Sequence, residues 1–404
     1  MIHLRPFRAW RPPPHLAQLV GSRSFLQYSV EELRARLAGN PYSFLQIVHA
    51  DHDRTDLTRE QHFDAVRAKF IAFTRSGILL REERPALYVY EQSTGHFRSC
   101  GLIAAVEVED YREGRIKVHE HTLPARERLF ADYLEHTGIN AEPVLLACPG
   151  ATSLEGDLAR ITGAPALFDF STVDRVRHRF WKVEDPEGIR HLQDRFKEVA
   201  ALYIADGHHR CASSAVMAQR AHAAPGSPKA GFLAFIVPER QLHIYNFDRA
   251  VKGLNGLSPD EFLRALERVG PVAEAYPGKS PAPGCVQVFC AGRWLEVKFP
   301  PPATAAPADA LAAELLNKHI LEPLLGISEL RTDPRVQFVP GTLGRHTLEE
   351  MVASGKADAA FHLAAVTFGE LRAVADSGTC MPPKSTWIEP KLRSGLTIYS
   401  LEEA

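Results

Sequence analysis

Apolar positions at Phe63, Val66, Phe70 and Phe73 recur with helical spacing and predict a helix over 60–76. Ser29 with Glu32 three residues on reads as a capping box, opening a helix that Gly39-Asn40-Pro41 ends. Further helices are predicted over 124–137, 150–163, 187–200, 259–269, 309–324 and 347–354. Apolar runs bounded by turn residues predict strands at 2–7, 86–90 and 97–108, the last two joined by Ser93-Thr94-Gly95. Others fall at 142–149, 177–183, 202–205, 231–237, 285–290, 294–299, 336–339, 359–364 and 396–401. A strand over 242–247 is expected to end at the charged pair Asp248-Arg249. The polar stretch 51–59 reads as a loop and the prolines of 300–307 as a linker.

Strands and helices in this mixture predict a mixed α/β fold, with mixed sheets and flanking helices. The chain divides into an α+β unit over 1–150 and a unit over 151–250 packed on it. A small α+β insertion follows over 251–300, then a C-terminal α/β unit over 308–404.

The stretch that organises the chain is the apolar strand 202–205 running into Asp206-Gly207-His208-His209-Arg210, followed by an Ala/Ser-rich helix. A strand that turns through glycine into a helix presents the first helical amides, with the positive end of the dipole behind them. That geometry suits a phosphate or carboxylate. Arg210 would add a planar fork of donors, the histidines can exchange protons near neutral pH, and Asp206 is placed to orient a histidine or a metal. Cys211, at the same helix start, is expected as a packed residue, with an activated thiol as the alternative.

Two other polar clusters stand out. In 115–122, an extended backbone would put His119 and His121 on one face and Glu120 on the other. Two histidines invite a metal, although no third ligand is evident. The segment 381–396 carries Lys384, Lys391, Arg393 and the hydroxyls of Ser385 and Thr386 among backbone-fixing prolines, a set able to grip phosphate. Arg177, Arg179 and Lys182 add cations along one predicted strand.

With 47 Lys and Arg against 49 Asp and Glu, the net charge is −2, so no basic field favours nucleic acid. No apolar run approaches the ~20 residues of a membrane span. Six scattered cysteines without a CxxC pair read as reduced thiols, which places the protein in the cytoplasm. A homodimer stays open.

Four pieces carry a resemblance: Asn40-Pro41-Tyr42-Ser43-Phe44-Leu45, the KxHExT pattern of 117–122, YIADGHHR at 203–210 and MPPKSTWxEPKLRSGL at 381–396. Together they resemble a widespread prokaryotic family catalogued as domain of unknown function ten-fifteen, across essentially the whole chain. Arg249 also fits the family. The chain departs from it at Ser24-Phe25-Leu26-Gln27, where members carry Pro-Tyr-Asp-Val; if that aspartate is catalytic in relatives, activity here would be altered or lost. The strand–Gly–His/Arg–helix unit also resembles the phosphate-binding motif of the ParB/sulfiredoxin superfamily, which includes partition proteins that hydrolyse CTP, sulfiredoxins and kinases of free serine.

These readings imply a nucleotide-dependent phosphotransferase acting on a small hydroxyl-bearing metabolite such as free serine. Gly207, His208, His209 and Arg210 would hold the phosphates of ATP or ADP with Mg²⁺. Arg179, Lys384, Ser385, Thr386 and Lys391 would offset further charge. Glu120 is the expected base, His119 the alternative, with His208, His209 and Asp206 in support. A metal-dependent phosphohydrolase using Asp206, His208, His209, His119 and His121 is one alternative, and a non-catalytic nucleotide-sensing regulator another.

Overall fold

The computed structural model describes residues 1–404 except 52, 53, 55, 277, 303, 305, 403 and 404, with Leu26 described for its backbone only. Part of the expected 51–59 loop therefore lies outside the described residues. Contacts divide the chain into two compact units. The first comprises Met1–Lys117, Thr122–Leu242 and Pro390–Ala404; the second comprises Val118–His121 and His243–Glu389.

The first unit is built on a nine-stranded mixed sheet. Ile116–Lys117, Leu202–Asp206, Val144–Cys148, Gly231–Pro238, Arg98–Glu107, Leu87–Ser93, Arg177–Val183 and Phe168–Ser171 lie side by side in that order, and Leu4–Arg5 also pairs with Arg98–Glu107. Ile116–Lys117 runs parallel to Leu202–Asp206, and Val144–Cys148 parallel to Gly231–Pro238; the other pairings are antiparallel. Gly231–Pro238 is buried at every position, as its unbroken apolar run requires of a strand covered on both faces. A side chain at Gly101 would put Cβ 2.4 Å from the Ile236 carbonyl oxygen, so the neighbouring backbone admits only glycine there. Residues from both the 1–150 and 151–250 segments thus share one sheet.

The predicted helices appear where cap and periodicity agree. Ser29 and Glu32 exchange both hydrogen bonds of a capping box at the start of Val30–Gly39. Thr58 and Gln61 do the same for Arg59–Arg75, whose buried face is Phe63, Val66, Phe70 and Phe73. Pro124–Thr137 packs against His208–Arg220.

The second unit holds an antiparallel seven-stranded sheet. Its order is Val272–Glu274, Arg293–Lys298, Cys285–Cys290, Ala359–His362, His243–Val251 and Val336–Pro340, with Thr386–Glu389 pairing along the first half of His243–Val251. Phe262 and Leu266 of the helix Pro259–Val269 bury beside Val286, Val288 and Phe361 of the sheet.

Three expectations are corrected. The 242–247 strand does not stop at its charges but runs to Val251, with Asp248 and Arg249 fully buried inside it. The helix over 309–324 is instead a short α-helix, Ala312–Leu316, continued as a π-turn over Asn317–Leu321. The extended segment at 115–122 stops at Lys117. Among the described residues no helix is long and apolar enough to cross a membrane, and the six cysteines are free.

Candidate functional site

On the first unit, the strand Leu202–Asp206 slips register against Val144–Cys148 between Ile204 and Asp206, a bulge that re-aims its end. Gly207 then takes φ 101°, ψ 28°, a left-handed conformation in which an L side chain is strained. The helix His208–Arg220 starts at once, and its ladder opens with the Cys211 amide donating to the Gly207 carbonyl at 3.0 Å. Helix geometry places the amides of 208–210 ahead of that ladder, at the positive end of a 13-residue dipole.

Arg210 differs from its expected role. Its guanidinium folds back under the turn, donating to Asp206 Oδ2 at 2.9 Å and to the Pro143 carbonyl, with Glu142 at 3.9 Å. It lies so close beneath Gly207 that a Cβ there would stand 3.1 Å from it. Burial works against its charge, but Glu142 and Asp206 together hold its pKa above the ordinary value. Arg210 thus braces the turn, and Asp206 anchors that brace. Cys211 is packed at 1% exposure, and burial pushes its thiol pKa well up, which ends the activated-thiol reading.

Arg179 stands apart from this turn. Its strand lies five positions along the sheet from Leu202–Asp206, about 24 Å at ~4.8 Å per strand. Its guanidinium is held by the buried carboxylate of Glu91, with Nε 2.9 Å away, and sits over the Trp181 ring at 5.2 Å. Lys391 is half-buried in the C-terminal segment of the same unit.

On the second unit, two motifs far apart in sequence meet. The Met381 amide donates to the His119 carbonyl at 2.8 Å. Cys380 is close enough to Glu120 that the carboxylate, after burial, helps raise the thiol pKa. Because the strand ends at Lys117, His119 and His121 do not share a face: His119 is 2% exposed and His121 is on the surface. Beyond Met381 the chain bends sharply. The Ser385 hydroxyl donates to the Pro382 carbonyl at 2.8 Å, and Lys384 is exposed at φ 56° with Nζ 5.4 Å from the Phe247 ring centre. Thr386 pairs with Asn246 as the next strand begins.

The loop rests on a residue to which sequence reasoning gave no role, Arg249. At 0% exposure it donates to the Phe247 carbonyl and, at 3.3 Å, to the Pro383 carbonyl, and its guanidinium lies over Phe338. Burial lowers its pKa to about 10, with Asp248 pulling the other way. Its fit to the family singled it out in the sequence, but the burial that makes a buried arginine need partners was not visible there.

Among the described residues no group of three or more His, Cys, Asp or Glu comes together to hold a metal ion.

Comparison with known proteins follows the motifs. The model of the family described as "Protein of unknown function (DUF1015)" matches residues 4–317, and the chain belongs to that family. The turn at 206–210 and the 119–121 segment fall inside the match; 381–396 lies beyond it. No curated protein matches. Among solved structures, a free serine kinase in complex with AMP is similar at 15% identity and TM-score 0.37, over 73% of this chain and 91% of that one. A C-terminally truncated SbnI from Staphylococcus aureus gives 13% and 0.38, over 74% and 87%. A conserved hypothetical protein from Pyrococcus furiosus gives 15% and 0.37, over 74% and 95%. Likeness at this level carries no argument about activity.

Proposed function

We propose that this member of the DUF1015 family is a nucleotide-dependent phosphotransferase acting on a small hydroxyl-bearing metabolite such as free serine. The observation that carries the reading is the turn at 206–210. A bulged strand, a left-handed glycine and a 13-residue helix stand in series, with Arg210 locked beneath them. The arrangement is a pre-organised receptor for phosphate oxygens, and phosphoryl transfer rests mostly on positioning and charge neutralisation. The strand–Gly–His/Arg–helix unit also resembles the phosphate-binding motif of the ParB/sulfiredoxin superfamily, whose members bind nucleotides there.

In this reading Gly207, His208 and His209 receive the phosphates of ATP or ADP. The half-exposed Asp206 carboxylate is the acidic group of the turn that would hold a Mg²⁺ brought with the nucleotide, and the ion would neutralise phosphate charge. Glu120 takes the proton of the acceptor hydroxyl, with His119 the alternative. Lys384, Ser385 and Thr386 neutralise charge, and Lys391 does the same from the C-terminal segment. Arg179, bound to Glu91, is left out of the set.

The test is thermal unfolding of the full chain with ATP, ADP, CTP or GTP and Mg²⁺, on the parent and on His209→Ala. A nucleotide at 100 times its Kd stabilises by about 2.7 kcal/mol, and His209→Ala should remove most of that gain. If no nucleotide raises the parent's Tm, the proposal fails. Incubation with serine, read by mass spectrometry, then separates the transferase from a regulator that binds nucleotide and leaves it unchanged.

A further inference from the structure

We infer that the first unit carries a separate receptor for a small organic oxyanion, built on Arg393, Arg23 and Arg36. A cavity of about 580 Å³ is lined by residues of 18–45, by Thr172, Val173 and Asp174, and by Arg393. This is the size range of pockets for small metabolites. None of these residues belongs to the turn at 206–210, and the cavity does not include that strand or helix.

The lining is unbalanced in charge. It holds three guanidiniums, Arg23, Arg36 and Arg393, against two carboxylates, Glu32 and Asp174, an excess of one positive charge. Both carboxylates are also engaged. Asp174 accepts from Arg393 at 2.6 Å and from Arg23 as well. Glu32 accepts from the Ser29 amide at 2.9 Å in its capping box. Arg36 is placed over the Tyr28 ring at 5.6 Å and has no carboxylate partner among the described residues. Among the described residues the lining therefore holds one more cation than carboxylate.

Donors are also in excess. Arg393 is 8% exposed and its Nε has no hydrogen-bond partner among the described residues; Ser22, 4% exposed, has an equally unpartnered hydroxyl. Unmet buried donors are rare in folded proteins and ask for an explanation. They are held in place: Ser394 donates to the Ser22 carbonyl at 2.9 Å and Ser22 donates back at 3.2 Å. At Gly395, φ 85°, a Cβ would fall 2.6 Å from Phe44. The neighbouring His178 adds no charge, because burial and then the Arg393 cation lower its pKa to about 3. Asp174 remains ionised: burial opposes this, but the Thr172 hydroxyl and the two arginines hold its pKa below the carboxylate range.

A planar guanidinium reads carboxylate and phosphate alike, by paired N–H···O contacts. Leu19 and Val173 offer apolar surface for a short carbon skeleton. The ligand class is thus an organic acid or a phosphorylated metabolite of similar size.

Isothermal titration of the full chain with succinate and, separately, with inorganic phosphate tests this. At least one probe should bind, with Arg36→Gln and Arg23→Gln each raising Kd about tenfold and His209→Ala leaving it unchanged. Succinate binding assigns the pocket to a carboxylate ligand; phosphate binding that survives His209→Ala assigns it to a phosphorylated one. Arg36 is an exposed helix residue, so its variant keeps the fold. The inference is overturned if neither probe binds below ~10 mM, or if binding is indifferent to both arginine variants. Phosphate binding lost only in His209→Ala also overturns it, since that places the ion at the turn.

Discussion

The turn at 206–210 and the loop at 381–386 each rest on a guanidinium folded beneath them, and the two solve the same problem in opposite ways. Arg210 meets its carboxylate four residues back in its own motif, with Glu142 nearby, and its charge is held more firmly than in water. Arg249 makes its contacts to backbone carbonyls and an aromatic face, and burial draws its pKa down to about 10. The turn combines an ion pair within its own motif with the Pro143 carbonyl and the Glu142 carboxylate of a neighbouring segment. The loop instead depends on a strand more than a hundred residues away.

That difference predicts unequal costs. Arg249→Ala opens a cavity in a sheet interior and strips donors from the Phe247 and Pro383 carbonyls, a loss of about 4 kcal/mol in urea unfolding of the full chain. Parent-like stability would remove Arg249 from its role as the loop's support. Arg210→Met keeps most of the volume but leaves the Pro143 carbonyl without this donor and weakens the hold on Asp206. A loss of about 2 kcal/mol is expected, accompanied by weaker nucleotide binding. If Arg210→Met costs more than Arg249→Ala, the local pair is not the cheaper arrangement and the comparison inverts.

Much of this was legible where the code is local. The Ser29/Glu32 box, the four-residue apolar stripe of Arg59–Arg75, and Leu202–Asp206 turning through Gly207 all depend on residues within one or two turns of each other. The helix Phe368–Asp376 carries an equally local signal, the Thr367/Glu370 box, set among polar residues that mask it. What was hidden is non-local. Charges at Asp248 and Arg249 read as a strand end because buried charge is expensive. They are accommodated only by partners that sequence proximity cannot reveal, among them the Leu363 amide at 3.0 Å, His362 and Pro383. The Met381–His119 hydrogen bond joins positions that no spacing rule connects. Arg210 was visible in the motif while the direction of its guanidinium was not, since a motif shows which groups are near a turn and not which way each one faces.

Gly207→Ala sharpens the local side of the comparison. At φ 101° an alanine is strained, and its Cβ would press on the Arg210 guanidinium at 3.1 Å. The stability cost should be about 1–2 kcal/mol. The nucleotide-induced rise in Tm should shrink far more than that, because the strain is spent on opening the turn. A variant that loses stability but keeps its full nucleotide response would show that the turn's backbone does not meet the phosphates.

Lys384 gives the smallest change in stability and the cleanest separation. It is exposed and adopts φ 56°, so the fold holds a non-glycine residue in a conformation that costs it about 1 kcal/mol. Lys384→Gly removes that strain, while losing the ~0.5–1 kcal/mol of an exposed cation–π contact with Phe247 and adding freedom to the unfolded chain. These effects nearly cancel, and the midpoint of urea unfolding should move by less than ~1 kcal/mol equivalent. Phosphoryl transfer to the acceptor should nevertheless fall by about a hundredfold, the usual size of losing one charge-stabilising group. If transfer is untouched, the strain at Lys384 belongs to the turn alone. If transfer is lost while the fold is unmoved, the loop's geometry exists to present that ammonium, and Arg249 beneath it is what keeps it in place.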